Sequence, residues 1–372
     1  MNPQKILAIK LRALGDTVLT TAPLIELRKA FPQSEIHFLV SREWASLLDG
    51  FPGIKKIWHY ERRSSKLARP RALATLAHAL RKERFDCVIN FHASPSSSLL
   101  AYSTGAPCRS IHFHGHHHRD RFSTLTIPGK GTLKPILERD MDTLRALGIH
   151  IPAGRLPSIP LQDLEVRGAA ESLQRLGLEH PLLALSLGAS RETKRWSLDR
   201  FVDLAVGWTQ EDQGGVIVLT GPNEETLQKG FLTRLDEQLT SLFSEVSARS
   251  RARSRICVIH NTTLRTLAGL LSRAAVWAGA DSGPKHLAVA VGTPTVTLFG
   301  PEDPYEWHPY PVDRHPYFFR EELSCRRDAD PGMPPWCALA ECKTEENRCM
   351  RLIGVDSVLA ECKKVARVKL SN

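Results

Sequence analysis

The chain has 372 residues, too many for one ordinary domain and suited to two of roughly 150–190 residues each. No apolar run approaches the ~20 residues that cross a bilayer, and the first residues lead into a strand pattern rather than a signal peptide, so a cytoplasmic protein is expected. The net charge of +10 sits in the first half: residues 1–150 carry 23 Lys/Arg against 12 Asp/Glu, and the remainder 27 against 28. Such a one-sided field favours an anionic partner there, whether nucleic acid, a phospholipid surface or an acidic saccharide; the bland reading is a solvated basic face. Eight cysteines in such a chain point to reduced thiols or a metal site before disulfides.

In chain order, Lys5–Lys10 reads as a strand, Gly15-Asp16 as a turn and Thr17–Ala30 as an amphipathic helix. Glu35–Val40 and Cys87–Phe91 follow as strands, with helical patterns at 43–49, 70–83, 96–102 and 134–147. Residues 152–160 are Pro-rich, and one helix, Leu164–Leu176, precedes a second run of alternating elements. That run has strands at Leu182–Leu187, Val216–Thr220, Ile256–Ile259, Val276–Ala278 and Thr295–Phe299. Helices fall at Ser197–Thr209, Asn223–Leu239, Thr263–Arg273 and Pro284–Val291. Strands alternating with helices of this length predict α/β, doubly wound parallel sheets. The expected division is an α/β domain over 1–160, a linker region over 161–180, a second α/β domain over 181–350 and a C-terminal helix in 351–372 that packs back toward the first domain.

Two turns carry the chemistry. Ala280-Asp281-Ser282-Gly283-Pro284-Lys285-His286 reads as a strand ending in a turn that feeds a helix. Free N–H groups, the helix dipole and an imidazole there suit a phosphate-bearing ligand, and Gly283 lets the backbone come close to it. Leu14-Gly15-Asp16 is built the same way in the other half. Both turns lie at carboxyl ends of strands, where open α/β sheets bind ligands, and the expectation is that they face each other across a cleft.

At these residues the chain resembles the ADP-heptose:lipopolysaccharide heptosyltransferases, glycosyltransferase family 9. The likeness runs through Lys5–Pro23, Leu187-Gly188-Ala189-Ser190-Arg191-Glu192-Thr193-Lys194-Arg195-Trp196, Gly221-Pro222-Asn223-Glu224-Glu225, Asp281–Ala288 and Leu298–Pro304. It implies the GT-B fold, two Rossmann-like domains, and inverting transfer of a heptose from ADP-heptose to the lipopolysaccharide inner core, with no metal and no cofactor. It places the acceptor domain first and the nucleotide-sugar domain second.

The resemblance makes Asp16 the general base that takes the proton of the acceptor hydroxyl; the residue pattern alone leaves a plain N-cap aspartate open. Ser190 and Lys194 are implied to bind the diphosphate, whose charge grows as the glycosidic bond breaks. Ser282, Gly283 and His286 complete the donor site. Asp281 is read as orienting donor hydroxyls or the turn itself, because a bare carboxylate beside a diphosphate is repelled. Glu224 or Glu225 is suited to the ribose hydroxyls, and the pattern does not choose between them.

Arg62, Arg63 and His92 are the acceptor candidates, the first two within a basic run that also includes Lys66, Arg69 and Arg71. His112–His118 holds five histidines in seven residues and Asn90 stands where an acid is common; both depart from the family pattern. Cys337, Cys342 and Cys349, with Cys325 and Cys362, crowd the tail at spacings unlike a zinc ribbon and are read as reduced structural thiols rather than metal ligands. The expected partners are ADP-heptose, an anionic lipopolysaccharide core and peripheral contact with the inner membrane's cytoplasmic face, with no nucleic acid. The rival readings are a GT-B transferase or epimerase using another nucleotide sugar, and a non-enzymatic binder of anionic membrane or nucleic acid.

Overall fold

A computed structural model describes residues 3–61, 68–92, 94–112, 122–127, 134–178, 180–211, 214–327, 337, 339–344 and 347–370. The chain divides into two compact units, Met1–Ile159 and Pro160–Asn372.

The first unit is built on strands β1 (Lys5–Lys10), β2 (Glu35–Ser41), β3 (Ile54–Tyr60), β4 (Cys87–Asn90) and β5 (Cys108–Ile111), in the order β3-β2-β1-β4-β5. Every pairing is parallel. The central strand β1 has no exposed side chain, as a strand covered on both faces requires. Its neighbours lie on opposite sides in chain order, so the strand order reverses between β1 and β4; at such a switch point a crevice opens at the carboxyl ends of the strands. Leu7, Ile9, Leu39, Val88, Leu100 and Ile111 form one core cluster of this unit.

The second unit repeats the plan with β6 (Leu183–Ser186), β7 (Val216–Thr220), β8 (Ile256–His260), β9 (Val276–Ala280), β10 (Thr295–Leu298) and β11 (Tyr317–Phe318). The order is β11-β10-β9-β6-β7-β8, again all parallel. Its switch point lies between β6 and β9. Gly279 keeps these two strands in register, because a Cβ there would stand 2.9 Å from the Ser186 carbonyl oxygen. The buried indoles are all satisfied: Trp277 donates to Ser186 Oγ, Trp196 to the Ile353 carbonyl and Trp208 to the Pro181 carbonyl.

Two further helices pack within the second unit. The helix Asp163–Arg175, counted with the linker, packs on the helix Leu264–Arg273 of the second unit, and Glu165 makes a two-pronged ion pair with Arg265. The C-terminal helix Val355–Leu370 belongs to the second unit. It lies on the helix Leu198–Glu211 and on β9 and β10, because Val358, Leu359, Cys362, Val365 and Ala366 fill the second unit's own core. No helix among the described residues is long and apolar enough to cross a membrane.

Candidate active site

In the second unit the geometry follows from β6 and β9 being neighbours. The segment leaving β6 forms a single turn, Glu192–Lys194, and the segment leaving β9 runs through Asp281 and Ser282 into the helix Gly283–Ala290. Residues 87 positions apart in the chain therefore meet: Lys194 Nζ lies 3.0 Å from Asp281 Oδ2. The other carboxylate oxygen takes Lys285 Nζ at 2.5 Å, one turn along the helix. Lys285 is fully buried and also donates to the Trp307 carbonyl, with the Phe299 ring beneath it. Glu302, from the loop after β10, stands 3.6 Å from Lys194 and pairs with Arg191.

The electrostatics of this cluster correct the idea of a bare Asp281. Burial alone would push its carboxyl up, but Lys285 and then Lys194 outweigh it and hold the group well below the usual carboxylate range. Three cations against two carboxylates leave one positive charge in excess. Burial, reinforced by Lys285, keeps His286 neutral far below its ordinary pKa. Burial also holds Tyr310 protonated, and its hydroxyl lies 2.5 Å from His286 Nδ1. A phenol donating to Nδ1 leaves the imidazole hydrogen on Nε2, which faces the Asp281 corner at 3.9 Å. Ser282 caps the helix by position, yet its buried Oγ bonds nothing among the described residues. The corner thus offers a hydroxyl, free backbone N–H groups at a helix start and a neutral imidazole around surplus positive charge, which is a set of donors for phosphate oxygens.

Glu224 and Glu225 separate. Glu224 folds back to accept the Gly221 N–H at 2.7 Å, and its carboxylate lies over Gly188 so closely that a Cβ there would stand 1.6 Å from Oε1. It therefore sits between the carboxyl ends of β6 and β7. Glu225 points away, its side chain 56% exposed and 3.5 Å from His260. Ser190 is exposed on the loop after β6.

In the first unit, Asp16 occupies the first turn of the short helix Leu14–Leu19, its side chain 17% exposed. Below it lies Lys10, the last residue of β1 and only 2% exposed. Its ammonium reaches Asp16 Oδ1 at 3.6 Å, Asp140 Oδ2 at 2.9 Å and the Phe91 carbonyl at 3.1 Å. Asp140 is fully buried; burial pushes its carboxyl up, and Lys10 opposes that. One buried cation thus joins the two carboxylates.

Residues 73–330 match the profile of glycosyltransferase family 9 (heptosyltransferase). The chain belongs to this family. It is a glycosyltransferase, and the Asp281 corner and the Lys194 turn lie within the matched residues, whereas Asp16 lies ahead of them. Lipopolysaccharide heptosyltransferase 3 of Escherichia coli K12 is 25% identical over 305 residues, 81% of this chain and 83% of that protein. The lipopolysaccharide core heptosyltransferase OpsX of Haemophilus influenzae is 22% identical over 366 residues, 98% of this chain and 97% of that one. In fold, the transferase is similar to the E. coli ADP-heptose lps heptosyltransferase II, with a TM-score of 0.72 and 19% identity over 98% of this chain and 99% of that structure. The architecture is GT-B.

Among the acceptor candidates of this family 9 transferase, His92 follows β4 and its backbone N–H donates to Asn90 Oδ1. Arg62, Arg63, Lys66 and most of the histidine cluster lie outside the described residues; His112 is buried next to the end of β5. Asn90 is fully buried and bonds Ser97, so its side chain anchors the strand end. Sequence reasoning missed Lys10, Asp140 and Lys285. The available signal was a lysine closing the apolar run Ile6–Ile9 and a second lysine one helical turn from Asp281.

Proposed function

We propose that this transferase moves a heptose from ADP-heptose to the inner core of lipopolysaccharide with inversion and with no metal in the transfer step. The observation that carries the reading is the corner at Asp281–His286. An unbonded serine hydroxyl, a helix start and a neutral imidazole there stand over a lysine cluster with one charge in excess.

In this reading, Asp16 accepts the proton of an acceptor hydroxyl as its oxygen attacks the anomeric carbon from the face opposite the diphosphate. The bond from that carbon to the diphosphate oxygen breaks, and its electron pair leaves with ADP. Lys194, Ser190, Ser282 Oγ, the N–H of Gly283 and His286 Nε2 bind the growing charge. Asp281 holds Lys194 and Lys285 in place instead of touching the sugar nucleotide, and Glu224 binds the ribose hydroxyls. The cations at the corner offer the charge that a divalent metal supplies in other transferases. The basic first unit takes the anionic acceptor, with Arg62, Arg63 and His92 as candidate contacts, at the cytoplasmic face of the inner membrane.

The test is to incubate the purified chain with ADP-heptose and a set of truncated core lipopolysaccharides and to read product masses. A gain of one heptose on one truncation is expected. Asp16→Asn should abolish that gain while ADP still binds in calorimetry. Transfer from a UDP sugar but not from ADP-heptose would overturn the donor, and full activity in Asp16→Asn would overturn the base.

A further inference from the structure

After β10 the chain passes through a short helix, Pro304–Trp307, and returns to the sheet at β11. The connection His308-Pro309-Tyr310-Pro311-Val312-Asp313-Arg314-His315-Pro316 carries three prolines, which stiffen its backbone. It is tied down at both ends. His308 Nε2 donates to the His315 carbonyl at 2.6 Å, and His315 Nδ1 pairs at 3.0 Å with Oγ1 of Thr295, the first residue of β10. The Trp307 carbonyl, just ahead of it, accepts from Lys285 Nζ at 2.9 Å.

Tyr310 stands in the middle of this frame and is buried. Its backbone N–H donates to the His308 carbonyl at 2.8 Å. Its ring meets His308 edge-on, with centroids 5.3 Å apart, and lies tilted against His315 at 5.6 Å. The frame sets the phenol oxygen 2.5 Å from His286 Nδ1, and that oxygen has no other hydrogen-bond partner among the described residues.

Two proton arrangements fit a neutral phenol beside a neutral imidazole. With the ring hydrogen on Nδ1, the phenol O–H finds no acceptor, and a bare Nε2 lone pair faces Asp281 Oδ1 at 3.9 Å. With the phenol donating to Nδ1, the buried hydroxyl is satisfied and the hydrogen on Nε2 faces that carboxylate. The second arrangement leaves no buried donor without a partner and sets no lone pair against an anion, so it is the one adopted.

Building on the proposed donor site, we infer that Tyr310 is a positioning residue: its hydroxyl locks His286 in one ring orientation and in the Nε2–H tautomer, so that the imidazole always presents a donor to the diphosphate. Without the hydroxyl the ring can take its hydrogen on Nδ1, or turn over and put a carbon where Nε2 stood. Either change removes the donor from the place where charge grows on the leaving group.

Tyr310→Phe tests this, because it keeps the ring and its packing and removes only the hydroxyl. In the free chain labelled with nitrogen-15 at histidine, nuclear magnetic resonance reads the tautomer, and the His286 ring is assigned by its loss in His286→Ala. The wild type should show the Nε2–H form alone, and Tyr310→Phe a mixture with Nδ1–H. In calorimetry, ADP affinity should fall about threefold to tenfold in Tyr310→Phe and about tenfold to a hundredfold in His286→Ala, with adenosine unchanged in both. The double variant should match His286→Ala within about twofold, since the hydroxyl acts only through the imidazole. Wild-type ADP affinity in Tyr310→Phe, or losses that multiply in the double variant, would overturn the positioning role and leave the donor site standing. Wild-type affinity in His286→Ala would overturn the donor contact and the role of Tyr310 with it. If Tyr310→Phe does not fold, the wild-type ring decides: an Nδ1–H form there ends the role, and an Nε2–H form upholds it.

Discussion

Lys10 Nζ stands 3.6 Å from a carboxylate oxygen of Asp16 while donating to Asp140 at 2.9 Å, so the proposed base shares its cation with a buried acid. Removing Lys10 leaves Asp140 buried and unpaired. Lys10→Met should lower stability by about 3–5 kcal/mol in urea unfolding. The double change Lys10→Met with Asp140→Leu should recover most of that loss, since two apolar groups replace a buried pair. Transfer should stay depressed by about tenfold or more in the double variant, because Asp16 has lost the ammonium that stands beside its carboxylate and fixes its position. Wild-type transfer in a stable double variant would show that Lys10 serves folding alone.

The two adjacent glutamates should behave differently. Glu224→Ala is expected to weaken ADP binding by about tenfold to a hundredfold in calorimetry, the size of a lost hydrogen bond to a charged group. Glu225→Ala, altering an exposed side chain, should change it by less than about twofold. Gly188→Ala should mimic the first variant, since its methyl group displaces the Glu224 carboxylate. The reverse order would assign ribose recognition to Glu225.

Lys194 is proposed to meet the diphosphate. Lys194→Ala should cut affinity for ADP by about tenfold to a hundredfold while leaving adenosine unchanged. Equal losses for both ligands would mean that the turn itself had collapsed.

The histidines around the Asp281 corner give a pH signature. Burial holds His308 down to about 3 and His315 down to about 4, and His286 is also well below its ordinary value. All three are neutral when folded, whereas in the unfolded chain they titrate near ~6.5. The unfolded state then binds more protons, so stability is full above that pH and falls as the pH drops from about 6.5 toward 4. Asp281, held low when folded, adds a further loss once its unfolded carboxyl titrates, below about pH 4. Denaturation midpoints measured across this range should show the decline, and His308→Phe should reduce its slope by about one proton. An unchanged slope in that variant would mean that His308 is charged in the folded chain.

Much of the fold was legible because buried parallel strands announce themselves as apolar runs, as β1, β7 and β9 do. β3 was missed because Lys55, Lys56 and His59 break its apolar pattern, which an edge strand can afford. β5 has four residues and β11 only two, too few to show a period. At the site, motif order pointed to Lys194, Asp281 and Ser282, which the structure brings to one corner. Their roles were harder to see: Asp281 reads as an exposed acid until Lys285 and Lys194 are known to flank it. Asp140 is 130 residues from Lys10 in the chain, and no local pattern links the two.

The helix Val355–Leu370 also fixes an order of assembly. The first unit's strands and the core cluster around β1 are drawn from residues of that unit, so that half is expected to close while the chain is still being made. The second half waits: Cys362, Val365 and Ala366 seal a hydrophobic interior opened at Leu183, nearly the whole unit earlier. Until synthesis reaches them, its sheet stands with one flank unsealed, the interval in which a chaperone has most to offer.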